Sequence, residues 1–270
     1  MGHLPFQLNT QRGAFRVALD GDPAATPLVL SNSLGTTLEM WAPQVAALSK
    51  NHRLIRYDTR GHGGSPVTPG PYSFDDLGQD VLAVLDALEV EKASFCGISM
   101  GGHTGLWLGI YAGLHFNAIV VCNSAARIGS MQAWRERAEM VRSGGPASMQ
   151  ALADSAPGRW FTEGFIQAQP EVVRQMQEGI SKLDAEGYAA CCDALACSDL
   201  SGKTKQFATP ALLIAGEFDP VTTVADAQRM QADIAGARLE VIPASHLSNL
   251  EAPEAFNKAV VDFLADTPSV

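Results

Sequence analysis

The sequence predicts a doubly wound α/β domain: a mostly parallel central sheet with helices on both faces, interrupted by an inserted helical cap. Three observations predict it. Runs such as PLVLS (27–31), NAIVVC (117–122) and PALLIAG (210–216) are almost continuously apolar, the pattern of strands buried on both faces, as parallel sheets are. Amphipathic segments alternate with these runs. In the segment 76–88, Leu77, Val81, Val84, Leu85 and Leu88 keep the three-four spacing of one helix face. After Cys122 the alternation stops, only helical patterns are found from about Ala125 to Asp193, and the alternation resumes at Pro210.

Taken in order, the expected strands are Phe15–Leu19, Pro27–Ser31, Arg53–Tyr57, Ala93–Ile98, Ala118–Cys122, Pro210–Ala215 and Arg238–Ile242. The expected helices between and after them are Trp41–Ser49, Asp75–Leu88, Met100–Ala112, Val224–Ile234 and Pro253–Leu264. Residues 1–124 and 194–270 are read as the core and 125–193 as the cap, with Gly and Pro breaks at Gly144-Gly145-Pro146, Pro157-Gly158 and Gly164.

At 270 residues, 46% hydrophobic and 18% charged, the chain is long enough to bury one large core. Its net charge of -10 argues against nucleic acid or an anionic membrane as the main partner. An anionic substrate would need local basic groups to offset that field. The five cysteines, Cys96, Cys122, Cys191, Cys192 and Cys197, form no CxxC pair. Reduced thiols in a cytoplasmic protein are expected, and no zinc site. The N-terminal stretch has no basic segment leading into an apolar one, and no apolar run is long enough to span a bilayer.

Gly97-Ile98-Ser99-Met100-Gly101 is a G-x-S-x-G sequence that follows the strand ASFCGI and opens the helix MGGHTGLWLGIYA. That context is what the motif requires. A sharp strand-to-helix turn exposes the hydroxyl of Ser99, small neighbours at 97 and 101 relieve backbone crowding, and the helix N-terminus aims amide donors at developing negative charge. The fold expected is therefore the α/β-hydrolase fold, with Ser99 as nucleophile.

A serine hydroxyl needs a base. In this fold the acid and then the histidine follow the serine along the chain. His103 lies one turn into the elbow helix and is expected to be structural, and His115 lies at its far end. His246, in the loop 243–249 after the last strand, is left as general base, because loops at the carboxyl ends of parallel strands form the active-site crevice. Asp219 directly follows the strand PALLIAG and is expected to orient His246; Glu217 is its nearest competitor, and Asp193 and Asp199 have no strand before them. The oxyanion hole should combine the backbone N–H of Met100 with one from the loop Ser31–Gly35, where Leu34 is the choice. The RGHG loop 60–63 with Asp58 is expected to be structural.

The stretches SNSLGTTLEMW, RYDTRGHGGS, CGISMGG and IPASHLSNLEAP together resemble 3-oxoadipate enol-lactonases, across almost the whole chain. Many members of the superfamily carry His-Gly where this chain has Asn32-Ser33. The resemblance implies hydrolysis of 3-oxoadipate enol-lactone to 3-oxoadipate in aromatic catabolism, the β-ketoadipate pathway. It implies Ser99, Asp219 and His246 as the triad, and no cofactor or metal. It further implies a small anionic lactone as partner; neither nucleic acid nor membrane is expected beside it, in line with the net charge, and a monomer or small homo-oligomer is expected.

That substrate carries a carboxylate. The first half of the cap, 125–160, holds Arg127, Arg135, Arg137, Arg142 and Arg159 against three acidic residues, and one of these arginines could grip it bidentately. Arg127 and Arg135 are the expected contacts, with Trp134 and Trp160 either lining the pocket or packing the cap. Competing readings are another ester, lactone or C–C bond hydrolase of this fold, or a non-catalytic binding homologue. A haloalkane dehalogenase would need an aspartate where Ser99 stands.

Overall fold

The structure is a computed structural model that describes residues 4–267. His3 lies outside the described residues.

Among the described residues, eight strands form one sheet in the order β1-β2-β4-β3-β5-β6-β7-β8. They are β1 (Phe6–Thr10), β2 (Gly13–Asp20), β3 (Thr26–Ser31), β4 (His52–Tyr57), β5 (Ala93–Ile98), β6 (Phe116–Cys122), β7 (Ala211–Gly216) and β8 (Arg238–Ile242). β1 and β2 pair antiparallel, as do β2 and β4, and every other pair is parallel. The central strands β5 and β7 are buried at every position, which is why they read as unbroken apolar runs.

The helices are α1 (Ala42–Leu48), α2 (Phe74–Ala87), α3 (Met100–Tyr111), α4 (Met131–Ser155), α5 (Pro157–Trp160), α6 (Glu163–Ala168), α7 (Pro170–Ser181), α8 (Ala185–Cys197), α9 (Val224–Asp233), α10 (Ser248–Glu251) and α11 (Pro253–Ala265). Right-handed crossovers fix their sides. The chain steps one way across the sheet from β3 through α1 to β4, and the other way from β4 through α2 to β5. So α1 and α2 lie on opposite faces. α11 packs against α1, and α3 against α2.

That reversal leaves β3 between β4 and β5. A switch of this kind opens a crevice beyond the strands' carboxyl ends, here between the loop after β3 and the turn after β5.

Five helices, α4–α8, run between β6 and β7, and α8 reaches Cys197, four residues past the expected boundary at 193. α4 is broken at Gly145, whose φ of 53° and ψ of -131° are non-helical. Pro146 follows directly and cannot supply an interior helix N–H. Among the described residues no helix is long and apolar enough to cross a membrane.

Two elements escape the sequence reading. β1, FQLNT, is a largely exposed edge strand with no apolar run. α10, SNLE, is a single turn where a loop is expected.

Candidate active site

The turn between β5 and α3 holds Ser99 at φ 58° and ψ -115°, a region that side chains with a Cβ rarely occupy. The flanking glycines explain how the turn closes. A Cβ on Gly97 would meet the carbonyl of Gly101, and one on Gly101 would meet the carbonyl of Ser31. The Gly101 N–H donates to Asn32 O at 3.0 Å, which ties the elbow to the loop after β3.

Ser99, Asp219 and His246 converge at this edge. His246 Nε2 is 2.8 Å from Ser99 Oγ, and His246 Nδ1 is 2.8 Å from Asp219 Oδ2. All three side chains are buried. Asp219 also accepts from the N–H groups of Val221 (2.7 Å) and Thr222 (3.1 Å) on Oδ1, and from the Thr222 hydroxyl (2.8 Å) and Asn123 Nδ2 (3.1 Å) on Oδ2. Burial pushes its carboxyl up, but the facing imidazole and these donors outweigh it, so the pKa lies below the ordinary value. Asp219 therefore stays ionised and demands a proton on Nδ1, which leaves the Nε2 lone pair free for the serine hydroxyl. Glu217 points into solvent.

Asn123 is a site residue the sequence reading missed. Its amide donates both to Asp219 and to Ser245 O at 3.1 Å, joining the acid to the loop that carries the histidine. Its φ of 41° is a positive value for a non-glycine residue, and Asn tolerates that region better than most. Asparagine straight after a buried strand was the available signal.

Leu34 sits in the loop after β3 and, with Ser99 and His246, lines a cavity of about 110 Å³. The loop is held from three sides. Asn32 Nδ2 donates to Tyr57 O, Trp41 Nε1 donates to Asn32 Oδ1, and the Gly35 N–H donates to His62 Nε2 at 2.9 Å. Burial holds His62 down at about 4, so its ring is a neutral acceptor. Asp58 accepts from the N–H groups of Leu38 and Gly64 and from Arg16. Arg60 pairs with Asp80. The RGHG loop thus braces the site from behind. Among the described residues no acceptor takes the N–H of Leu34 or of Met100.

His103, in the first turn of α3, has Nδ1 2.8 Å from Ala125 O and Nε2 2.7 Å from Ser198 Oγ. His115 is exposed.

Trp134 and Trp160 both line the cavity. The expected arginines do not. Arg127 is exposed and faces Asp199 at 3.5 Å, and Arg135 is exposed on α4. Arg137 and Arg159 line the cavity instead. α4 turns about 100° per residue, so Arg137 shares the face of Trp134 and Val141 while Arg135 faces away. Arg137 stacks on the Trp134 ring, with Cζ 4.8 Å from its centroid. Among the described residues neither cavity arginine has a carboxylate within ion-pair distance, whereas Arg142 is engaged by Glu186 and Asp193. Burial, and then the like charge of Arg137, lower the pKa of Arg159. Two uncompensated cations beside a buried hydroxyl favour an anionic ligand. The volume, below the roughly 300–1,000 Å³ of pockets for drug-sized ligands, suits a small one.

A larger groove of about 670 Å³ opens at the other end of β5–β7, where Tyr111, His115 and Thr209 line it. Among the described residues no hydrogen bond joins His115 to a hydroxyl there.

The profile described as alpha/beta hydrolase fold matches residues 26–253. Two curated relatives from Acinetobacter baylyi are 3-oxoadipate enol-lactonase 2 and 3-oxoadipate enol-lactonase 1. The first is 47% identical, with 96% of each chain covered. The second is 46% identical, with 92% of each covered. Among solved structures, the enol-lactonase from Burkholderia xenovorans LB400 superposes with a TM-score of 0.93 at 43% identity, covering 96% of this chain and all of that one.

Proposed function

We infer that this chain, which belongs to the alpha/beta hydrolase fold family and within it to the 3-oxoadipate enol-lactonases, hydrolyses 3-oxoadipate enol-lactone to 3-oxoadipate in the β-ketoadipate pathway through a serine acyl-enzyme. One observation carries the reading. The hydroxyl of Ser99 stands 2.8 Å from His246 Nε2 on the wall of a small cavity that also presents two arginines with no carboxylate partner among the described residues.

Ser99 Oγ attacks the lactone carbonyl while His246 takes its proton. The N–H groups of Leu34 and Met100 receive the tetrahedral oxyanion, where each such donor is worth about 10²–10³ in turnover. Asp219 stabilises the imidazolium through Nδ1. The ring C–O bond then breaks. The departing enol oxygen is a better leaving group than an alkoxide, so it parts ahead of full protonation; His246 then gives its proton to it and is again a neutral base. Ketonisation leaves a ring-opened acyl group on Ser99. His246 next deprotonates a water that attacks this ester, and the second collapse releases the dicarboxylate.

Arg137 and Arg159 bind the substrate carboxylate, taking the part first expected of Arg127 and Arg135. Trp134 and Trp160 flank them. The four buried thiols and the exposed Cys197, all unpaired, support a reducing, cytoplasmic setting. Purified protein tests the reading directly. Loss of the enol-lactone absorbance at a rate that saturates with substrate is expected, and turnover of neutral aryl esters alone would replace the lactonase by a general esterase.

A further inference from the structure

The two peptides that would receive the oxyanion share a feature no part of the triad requires. In a trans peptide the C=O and N–H point in opposite directions. Whatever holds the carbonyl of residue 33 therefore aims the N–H of Leu34, and whatever holds the carbonyl of Ser99 aims the N–H of Met100. Each of these carbonyls accepts one backbone N–H and one buried hydroxyl. Ser33 O takes the Thr36 N–H at 3.2 Å and Thr36 Oγ1 at 2.8 Å. Ser99 O takes the His103 N–H at 2.9 Å and Ser124 Oγ at 2.8 Å. Thr36 and Ser124 come from different segments, yet both are buried. Thr36 Oγ1 also lies 2.9 Å from Met40 Sδ, but a thioether is the weaker acceptor, so its single proton goes to the carbonyl.

We propose that Thr36 and Ser124 are paired positioning residues of the oxyanion hole, each using a buried hydroxyl to aim and polarise one of its two peptides. A hydrogen bond to the C=O draws electron density from the amide and strengthens the N–H as a donor, and such chains reinforce one another in a low-dielectric interior. The benefit grows as charge develops on the substrate oxygen, so it belongs to the transition state rather than to substrate binding. Neither hydroxyl touches the reacting atoms. The proposal rests on the acyl-enzyme reading above.

The test is a cycle of Thr36→Val, Ser124→Ala and the double variant, with Thr36→Ser and Ser124→Thr as conservative controls. Each is assayed for kcat and KM on the enol-lactone. Each is also assayed for binding of two probes, an alkyl boronic acid that forms a tetrahedral anionic adduct on serine, and planar 3-oxoadipate. Either single loss should lower kcat about tenfold, less than deleting a donor outright. KM and 3-oxoadipate affinity should stay within about twofold, and boronate affinity should fall in parallel with kcat. The conservative variants should restore both. Should Thr36→Val not fold, Thr36→Cys keeps the volume with a much weaker donor and is read the same way.

Folded Val and Ala variants with parental kcat and boronate affinity would overturn the proposal, as would equal losses for boronate and 3-oxoadipate. A Ser99→Ala control separates the two levels. If it is inactive while Thr36→Val and Ser124→Ala are normal, only this proposal fails. If it still turns over, the acyl-enzyme reading fails with it.

Discussion

Asp219→Asn is the substitution whose consequence the hydrogen bonds dictate most tightly. Oδ1 of Asp219 accepts two backbone N–H groups, from Val221 and Thr222. An amide at this position must keep its oxygen there, since turning it would set an NH₂ against both donors. The NH₂ then occupies the place of Oδ2, where His246 Nδ1, Asn123 Nδ2 and the Thr222 hydroxyl now converge. It donates to Nδ1, so the imidazole carries its proton on Nε2 and presents N–H rather than a lone pair to Ser99. The base is lost although nothing has moved. In the serine-protease example of this swap, the wrong tautomer lowers kcat by about 10⁴, and the same loss is expected here with KM nearly unchanged. The facing Asn123 amide loses one of its two acceptors and keeps Ser245 O, and the N–H left without a partner costs about 1–3 kcal/mol of stability. Steady-state kinetics on the enol-lactone at neutral pH, beside a thermal melt, read both numbers. A variant within tenfold of the parent kcat would refute the assignment of Asp219 as the group that sets the tautomer.

Further outcomes follow from other contacts. Arg137→Met and Arg159→Met should each raise KM about 10–100-fold for the anionic lactone, the worth of a charge-assisted hydrogen bond. KM for a neutral ester should change little, and equal effects on both substrates would exclude a carboxylate grip. Asp80→Ala strips the buried Arg60 of its partner and should cost about 3–5 kcal/mol. That is a Tm lower by roughly 10 °C. His62 and His103 are buried with pKa values pushed down by burial to about 4. The unfolded chain binds protons there below about pH 6.5 and the folded chain does not, so stability falls as pH drops from about 6.5 toward 4. Ionised Asp219, also held low, adds a loss in the same direction further into acid. Melting curves across that range should slope accordingly, and His103→Gln should flatten the upper part.

The sheet was legible because its centre is buried on both faces. The predicted bounds of Ala93–Ile98 and Arg238–Ile242 are those observed for β5 and β8. β1 was not legible, since an edge strand with exposed Phe6 and Gln7 lacks the apolar run that marks its neighbours. Ser99, Asp219 and His246 could be found because each follows a strand at the same sheet edge, a constraint that spacing along the chain expresses. Which arginine faces the cavity depends on rotation about α4. The signal was present in the placement of Arg137 three residues after Trp134 and four before Val141, a helical stripe that excludes Arg135. Arg159 had no such marker, because the short helix α5 sets its direction through Trp160 O, which accepts the Leu247 N–H at 3.0 Å. Asn123 was hidden for the same reason: its partners lie 96 and 122 residues away.

The mechanism requires the lactone carbonyl to become covalently attached to Ser99. Acid quenching of the enzyme with excess enol-lactone within the first turnovers, followed by mass spectrometry of the peptide containing residue 99, tests it directly. An adduct of the intact lactone mass on that serine is expected, disappearing on longer incubation and never forming in Ser99→Ala. An enzyme that turns over the lactone with no adduct at any time, and keeps its rate when Ser99 is replaced, would contradict it.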